Sequence, residues 1–189
     1  MRTVTYGAAC SLDGFIARPD GSVDWLIFTA DVSAVMTEFW KATDTMLMGR
    51  KTWDFAAAQT KGGGTGFGKI ETYVFSRTLT ADPHPDVRLV REDAGAFVRA
   101  LKARPGKGIC VMSGGNFAAS LFAAGVIDEV RINVHPVLLG AGIPLFTDPG
   151  IQVNLTLTEC RPMKRDCLLL SYRVAPPKTR RRRGQATEH

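Results

Sequence analysis

The chain has 189 residues, 45% of them hydrophobic and 22% charged, with a formal net charge of +6; that is ample for one domain with a single core and short for two. Five cations and one acid within residues 178–189 account for four of those six charges, so residues 1–177 are close to neutral and a broadly basic nucleic-acid-binding face is not indicated. No run approaches the ~20 apolar residues of a membrane span, and the opening "MRTVTYGAAC" lacks the apolar core of a signal peptide.

Cys10, Cys110, Cys160 and Cys167 show neither CxxC spacing nor a neighbouring histidine cluster. This argues against a zinc site or disulfide framework and for buried, reduced thiols in a cytoplasmic protein.

Strand-like and helix-like runs alternate along the chain, the pattern of an α/β domain with a largely parallel sheet. "TVTYGAAC" reads as the first strand, followed by the Asp13-Gly14 turn and a short extended "GFIA". Val32, Val35, Met36 and Phe39 fall at i, i+3, i+4 and i+7, one face of a helix. "TMLMG" is a buried strand that leads into a helix beginning "RKTWDFAA", and "TYVFS" and "VRLV" are two further strands. Ala94, Phe97, Val98 and Leu101 repeat the helical period before the strand "GICVMS". Phe117, Ala118, Leu121 and Phe122 mark the next helix, with Gly125 as its C-terminal stop. "EVRINVHPVLL", "VNLTLTEC" and "CLLLSYRV" follow with no room for helices between them, so the sheet should finish with antiparallel pairing. Residues 1–175 form one predicted domain. "APPKTRRRRGQATEH", from Ala175, has no periodicity and nothing to bury, and 176–189 read as a basic, disordered tail. Contact with nucleic acid or an acidic partner is the functional alternative for the tail.

The stretch "KGGGTGFGKI" carries Gly63, Gly68 and Lys69 at the spacing of a phosphate-gripping P-loop, but Ile70 replaces the magnesium-binding hydroxyl. A strand rather than a helix is predicted after it, and five glycines between Gly62 and Gly68 leave the backbone without preorganisation. It is read as a surface loop beside a cleft. Three other stretches suit a nucleotide better, each read as a strand-to-helix junction where unpaired amides and the helix dipole favour an anion. In "MGRKTW", Gly49 ends a strand and Arg50, Lys51 and Thr52 open a helix. In "VFSRT", Ser76, Arg77 and Thr78 offer a guanidinium and hydroxyls to a terminal phosphate. In "VMSGGNF", Ser113, Gly114, Gly115, Asn116 and Phe117 let the backbone approach a pyrophosphate. Together the three suggest a ligand with a pyrophosphate and one further phosphate, as in NADPH.

These residues also carry a resemblance. "ACSLDGFIA", "MGRKTW", "VFSRTL" and "SGGNFAASLFAAGVIDEVRINVHPVLLGAGIPLF" resemble the dihydrofolate-reductase-like superfamily over about residues 3–174. Within it, they are most similar to the C-terminal reductase domain of the bifunctional riboflavin-biosynthesis deaminase/reductase.

The resemblance implies a mostly parallel central sheet with an antiparallel C-terminal end and helices on both faces. It implies that Ala9 and Ile16 offer backbone groups to the nicotinamide carboxamide, and that Gly49, Arg50, Lys51 and Thr52 hold the pyrophosphate region. Ser76, Arg77 and Thr78 would select NADPH over NADH, and Ser113 to Phe117 would close over the diphosphate. Asp31 is similar in position to the folate enzymes' carboxylate; it is read either as an anchor and proton source or as a helix N-cap. Trp25 and Phe28 either line the substrate pocket or belong to the core, and Ser11 and Asp13 either serve the site or shape the turn.

The activity implied is hydride transfer from NADPH to 5-amino-6-(5-phosphoribosylamino)uracil. Dihydrofolate reduction and a non-catalytic NADPH-binding module are the alternatives. A homodimer is expected by analogy alone. The zinc-deaminase signature of the two-domain riboflavin enzymes is absent from the sequence.

Overall fold

A computed structural model describes residues 1–60 and 70–175. Their elements, in chain order, are β1 (Val4–Ser11), β2 (Phe15–Ala17), α1 (Ala30–Lys41), β3 (Thr43–Gly49), α2 (Arg50–Gln59), β4 (Glu71–Phe75), β5 (Val87–Val90), α3 (Ala94–Ala103), β6 (Gly108–Val111), α4 (Gly115–Ala123), β7 (Glu129–His135), β8 (Ile143–Pro144), β9 (Leu155–Pro162) and β10 (Leu168–Val174). The glycine loop 61–69 and the tail 176–189 lie outside the described residues. Residue 70 is followed directly by β4, so the helix that a P-loop requires is not there.

Eight strands form one sheet in the order β5-β4-β3-β6-β1-β7-β10-β9. The first six are parallel and the last two antiparallel, as expected. β2 and β8 pair separately as a two-stranded ribbon. Side-chain alternation splits the core between the two faces. On one, Met46, Met48, Trp53, Val74 and Val87 pack with Trp40 and Ala57, under α1 and α2. On the other, Val4, Tyr6, Leu47 and Val111 pack against Val98 and Leu101 of α3 and Leu121 and Phe122 of α4. Helices therefore cover both faces.

The chain runs outward from β1 through β3 and β4 to β5, then returns through β6, between β3 and β1, and on to β7. The winding direction reverses between β3 and β6. In open α/β sheets the crevice at the carboxyl ends of the strands beside such a reversal is where ligands bind.

Several expectations need correction. Only Val32 of the predicted α1 face is buried; Met36 is 39% exposed and Phe39 is half-buried against Arg131. The strand predicted over 129–139 stops at His135, because Pro136 has no N–H to continue the ladder. Cys160 is exposed on β9, whereas Cys10, Cys110 and Cys167 are buried as predicted, and all four are free. Burial pushes the Cys10 thiol up to about 11 and that of Cys110 to about 12, so both stay protonated.

Candidate active site at the strand switch point

The predicted nucleotide segments share one edge of the sheet. Gly49 ends β3, Ser76 follows β4, Ser113 and Gly114 follow β6, and Ala9 lies near the end of β1. Since β4, β3, β6 and β1 are consecutive neighbours, their carboxyl ends stand side by side around the reversal point.

The crevice is stitched across its middle. Gly49 N–H donates to Ser113 Oγ at 3.1 Å, joining the ends of β3 and β6. A side chain at Gly49 would bring its Cβ to 2.9 Å from Ser113 Oγ and 3.3 Å from Phe117 Cβ, so this approach demands glycine. Gly115 is equally constrained, but by protein rather than ligand: a Cβ there would sit 2.8 Å from the Thr147 backbone nitrogen. Gly114 differs. Its nearest neighbour would be Ile16 Cδ1 at 3.9 Å, which leaves the approach to its backbone open and puts Ile16 of β2 beside the same crevice. Tyr6, fully buried, fixes the segment from beneath by donating to Leu145 O at 2.8 Å, with Ser113 O at 3.3 Å.

The electrostatics of the helix ends set two helices apart. Asp93 caps α3 by accepting Ala96 N–H at 2.7 Å, and α1 carries Asp31 in its first turn. α2 and α4, the two helices that open from the crevice, have glycine at the N-cap, no capping side chain and no acid in the first turn. α2 instead places Arg50 and Lys51 at its positive end, against the preference of the macrodipole. Arg50 is partly neutralised by Asp54 at 2.7 Å, while Lys51 is exposed. Uncapped amides and added cations at one crevice fit an anionic ligand.

Ser76–Thr78 departs from its predicted setting. No helix follows β4; Ser76 is buried and its Oγ accepts the Thr78 and Leu79 N–H groups at 3.2 and 3.1 Å, closing a turn that leaves Arg77 and Thr78 exposed. Arg77 still follows the end of β4, two residues past Phe75, the ladder partner of Gly49.

On the substrate side, the helix cap is Thr29, and Asp31 is the second helical residue rather than the N-cap. Asp31 Oδ1 accepts from the Thr29 hydroxyl and from Val32 N–H, and Oδ2 accepts Lys164 N–H at 2.8 Å. These bonds, that of Thr29 foremost, hold its carboxyl below the usual range. Asp31 ties the start of α1 to the β9–β10 hairpin. Trp25 is buried edge-on against His135, with ring centroids 5.4 Å apart, whereas Phe28 is 70% exposed. Ser11 and Asp13 do shape the β1–β2 turn: Ser11 Oγ donates to Asp13 and accepts Phe15 N–H, while Asp13 also receives Leu139 and Gly140 N–H. A cavity of about 420 Å³ runs along α1, lined by Arg131, Arg161 and Met163 among others, and shares only Asp31 with the predicted set. Among the described residues no group of His, Cys, Asp and Glu is arranged to hold a metal ion, and no helix is long and apolar enough to cross a membrane.

Sequence reasoning passed over His135, Asn133 and Cys167, which meet beside Trp25 at the end of β7. The available signal was the His-Pro step at a strand end, within the C-terminal motif already quoted.

The chain was compared with known proteins. The family model of the RibD C-terminal domain matches residues 2–169. The uncharacterized protein YyaP of Bacillus subtilis (strain 168) is 31% identical over 181 residues, covering 91% of this chain and 95% of the relative. The uncharacterized protein YwjB of the same organism is 34% identical over 157 residues, covering 82% and 88%. Among solved structures, a putative riboflavin biosynthesis protein from Shewanella sp. PV-4 superposes with a TM-score of 0.81 at 23% identity, over 92% of this chain and 99% of that one. A dihydrofolate reductase from Enterococcus faecalis, complexed with NADP(H), superposes with a TM-score of 0.63 at 11% identity, over 92% and 97%. At these identities the structural likeness is one of fold, and the fold is dihydrofolate-reductase-like.

Proposed function

This chain belongs to the RibD C-terminal domain family, and on that premise we propose that it is an NADPH-dependent reductase of a small heterocycle, with 5-amino-6-(5-phosphoribosylamino)uracil as the leading substrate. The observation that carries the proposal is the pair of uncapped helix ends, α2 and α4, opening from the two strands that flank the switch point. The complex of the E. faecalis dihydrofolate reductase with NADP(H) supports a nicotinamide cofactor for this fold.

NADPH, when bound, supplies the hydride. The chain's own residues bind, orient and screen. Amides of Arg50–Thr52 and Gly115–Phe117 and the cations Arg50 and Lys51 would hold the diphosphate. Arg77, with the Ser76 and Thr78 hydroxyls, would take the 2′-phosphate, and Ala9 and Ile16 would offer backbone groups to the carboxamide. Asp31 is kept ionised by its hydrogen bonds. It is therefore suited to anchoring and positioning, and the proton required by the reduction comes from water.

A homodimer is part of the proposal. All eight residues of β9, the sheet's edge strand, are exposed. Leu155, Leu157 and Cys160 share one face with Val174, Tyr172 and Leu170 of β10. This apolar face runs from Tyr172 and Val174, which pack against the cluster under α3 and α4, outward to Leu155 and Leu157, which stay exposed at the sheet edge and are of the kind that a second copy covers.

The test is titration of the chain with NADPH and NADH, followed by turnover with the pyrimidine substrate. A preference for NADPH that disappears in Arg77→Ala is expected, at a cost of about 2 kcal/mol, or roughly 30-fold. Equal affinity for the two cofactors in the wild type contradicts the role given to Arg77. Saturable NADPH binding without oxidation by the pyrimidine contradicts the catalytic reading.

A further inference from the structure

His135 is 1% exposed, and both its ring nitrogens are engaged. Nδ1 lies 3.2 Å from Ile27 N–H, which donates to it, and 3.7 Å from the buried Cys167 thiol. Burial raises the thiol's pKa and lowers the imidazole's, so the thiol keeps its proton and the ring stays neutral. With Nδ1 accepting, the ring proton resides on Nε2.

That proton constrains Asn133. The Asn133 amide meets Nε2 at 3.1 Å through Nδ2, while its Oδ1 is buried with no hydrogen-bond partner. A donor facing a donor is resolved by exchanging the two amide atoms, which are alike in size and shape. The oxygen then accepts from Nε2–H, and the atom left buried and unpaired is the NH2. A second donor is in the same position: Trp25, which packs edge-on against the same imidazole, has its Nε1–H buried without a partner. Two unpaired N–H donors thus flank one immobilised ring, although buried donors in folded chains are nearly always satisfied.

The place they occupy borders the candidate site. Asn133 pairs across the parallel ladder with Ala9 of β1, and His135 with Ser11. Gly7 and Ala9, on the same face, are small and half-buried, and a side chain at Gly7 would meet nothing within 4 Å. Space is therefore left above Gly7, the next same-face position along β1 from Ala9, the ladder partner of Asn133.

We infer that Asn133 Nδ2 and Trp25 Nε1 form a two-donor subsite for the carbonyl oxygen of an oxo-substituted nitrogen heterocycle, with His135 as the positioning residue that presents the Asn133 NH2. The inference rests on the reductase reading for its location and specifies the substrate class that the site accepts: one with an exocyclic oxygen, not a purely apolar or cationic ring.

Two measurements on the full chain test it. Nitrogen-15 NMR of the His135 ring is expected to show the neutral form protonated at Nε2; protonation at Nδ1 overturns the assignment of the Asn133 amide. Binding of uracil to the NADPH-loaded chain is then measured by calorimetry. Asn133→Asp, which replaces the donor with an acceptor, and Trp25→Phe, which removes the indole N–H together with one fused ring, are each expected to weaken uracil by about tenfold. Both should leave NADPH affinity unchanged; Trp25→Phe also removes a fused ring from a buried position, so the isosteric Asn133→Asp is the variant whose loss of uracil alone a merely structural role would not produce. Unaltered uracil binding in both variants, or no saturable uracil binding to a wild-type chain that holds NADPH, overturns the subsite and leaves the reductase reading standing. Failure to bind NADPH at all sinks the reductase reading, while the tautomer measurement still decides the His135–Asn133 arrangement.

Discussion

Gly114 and Gly115 are adjacent, yet the structure assigns them opposite sensitivities. At Gly115 an added Cβ would lie 2.8 Å from Thr147 N, 3.0 Å from Thr147 Cγ2 and 3.1 Å from Phe146 C. Two of these are backbone atoms that cannot swing aside, so Gly115→Ala is an overpacking change with an expected cost of about 1–3 kcal/mol. At roughly 2–4 °C per kcal/mol for a domain of this size, it should lower the melting temperature measurably. Gly114 has φ −71° and ψ 167°, a conformation any residue adopts, and open space around the new methyl. Gly114→Ala should leave stability unchanged or raise it by about 0.4–1 kcal/mol through the unfolded chain. The same methyl would stand where a diphosphate approaches the start of α4. Losing one charge-assisted amide contact there costs about 1.5–3 kcal/mol, a loss of NADPH affinity of tenfold or more. Thermal melts of the unliganded variants and NADPH titration by fluorescence separate the two effects. If Gly114→Ala binds NADPH as tightly as the wild type, the diphosphate does not approach α4 and the reasoning fails.

Further outcomes follow from other sites. Leu157→Glu, placed on the open face of β9, should shift the chain to monomer by light scattering while its circular dichroism stays that of the folded chain; an unchanged mass contradicts the β9 interface. Lys102, buried in the last turn of α3, holds both carboxylate oxygens of Asp128 at 2.7 Å. Because the Asp128 side chain is 40% exposed, Lys102→Ala should cost about 2 kcal/mol in urea unfolding, below the 3–5 kcal/mol of a fully buried pair. Burial lowers the His135 pKa, so the unfolded chain binds the proton more readily. Stability is then fully present above the ordinary histidine value of about 6.5 and falls as the pH drops through it. His135→Gln should flatten that part of the melting profile, and an equally steep profile in the variant would place the titration elsewhere.

The architecture was largely legible because its signals are local. Apolar strand runs, helical spacing in 94–101 and 117–122, and the lack of helices after residue 129 together specify the parallel sheet and its antiparallel end. The placement of the three segments at neighbouring strand ends was legible for a similar reason, since glycines and cations after strand runs mark positions that do not depend on side-chain packing. What stayed hidden depends on contacts distant in sequence. Gly115 reads as a phosphate glycine, and the crowding by residues 146–147 that also demands glycine there was not visible. Asp31 reads as a cap, yet its second oxygen is taken by Lys164, 133 residues away. The α1 stripe reads as core, but the antiparallel end of the sheet leaves most of it open. Asn133 and His135 alternate along β7 like ordinary strand residues, and only folding brings Trp25, Ile27 and Cys167 onto the imidazole.

The central claim is that the ends of β3, β4 and β6 grip one dinucleotide, and amide-resolved NMR during NADPH titration tests it most directly. Gly49–Thr52, Ser76–Thr78 and Ser113–Phe117 are expected to shift together along one saturation curve. Saturable shifts confined to the α1–β9 cavity, or spread with no focus on those three segments, would contradict the account.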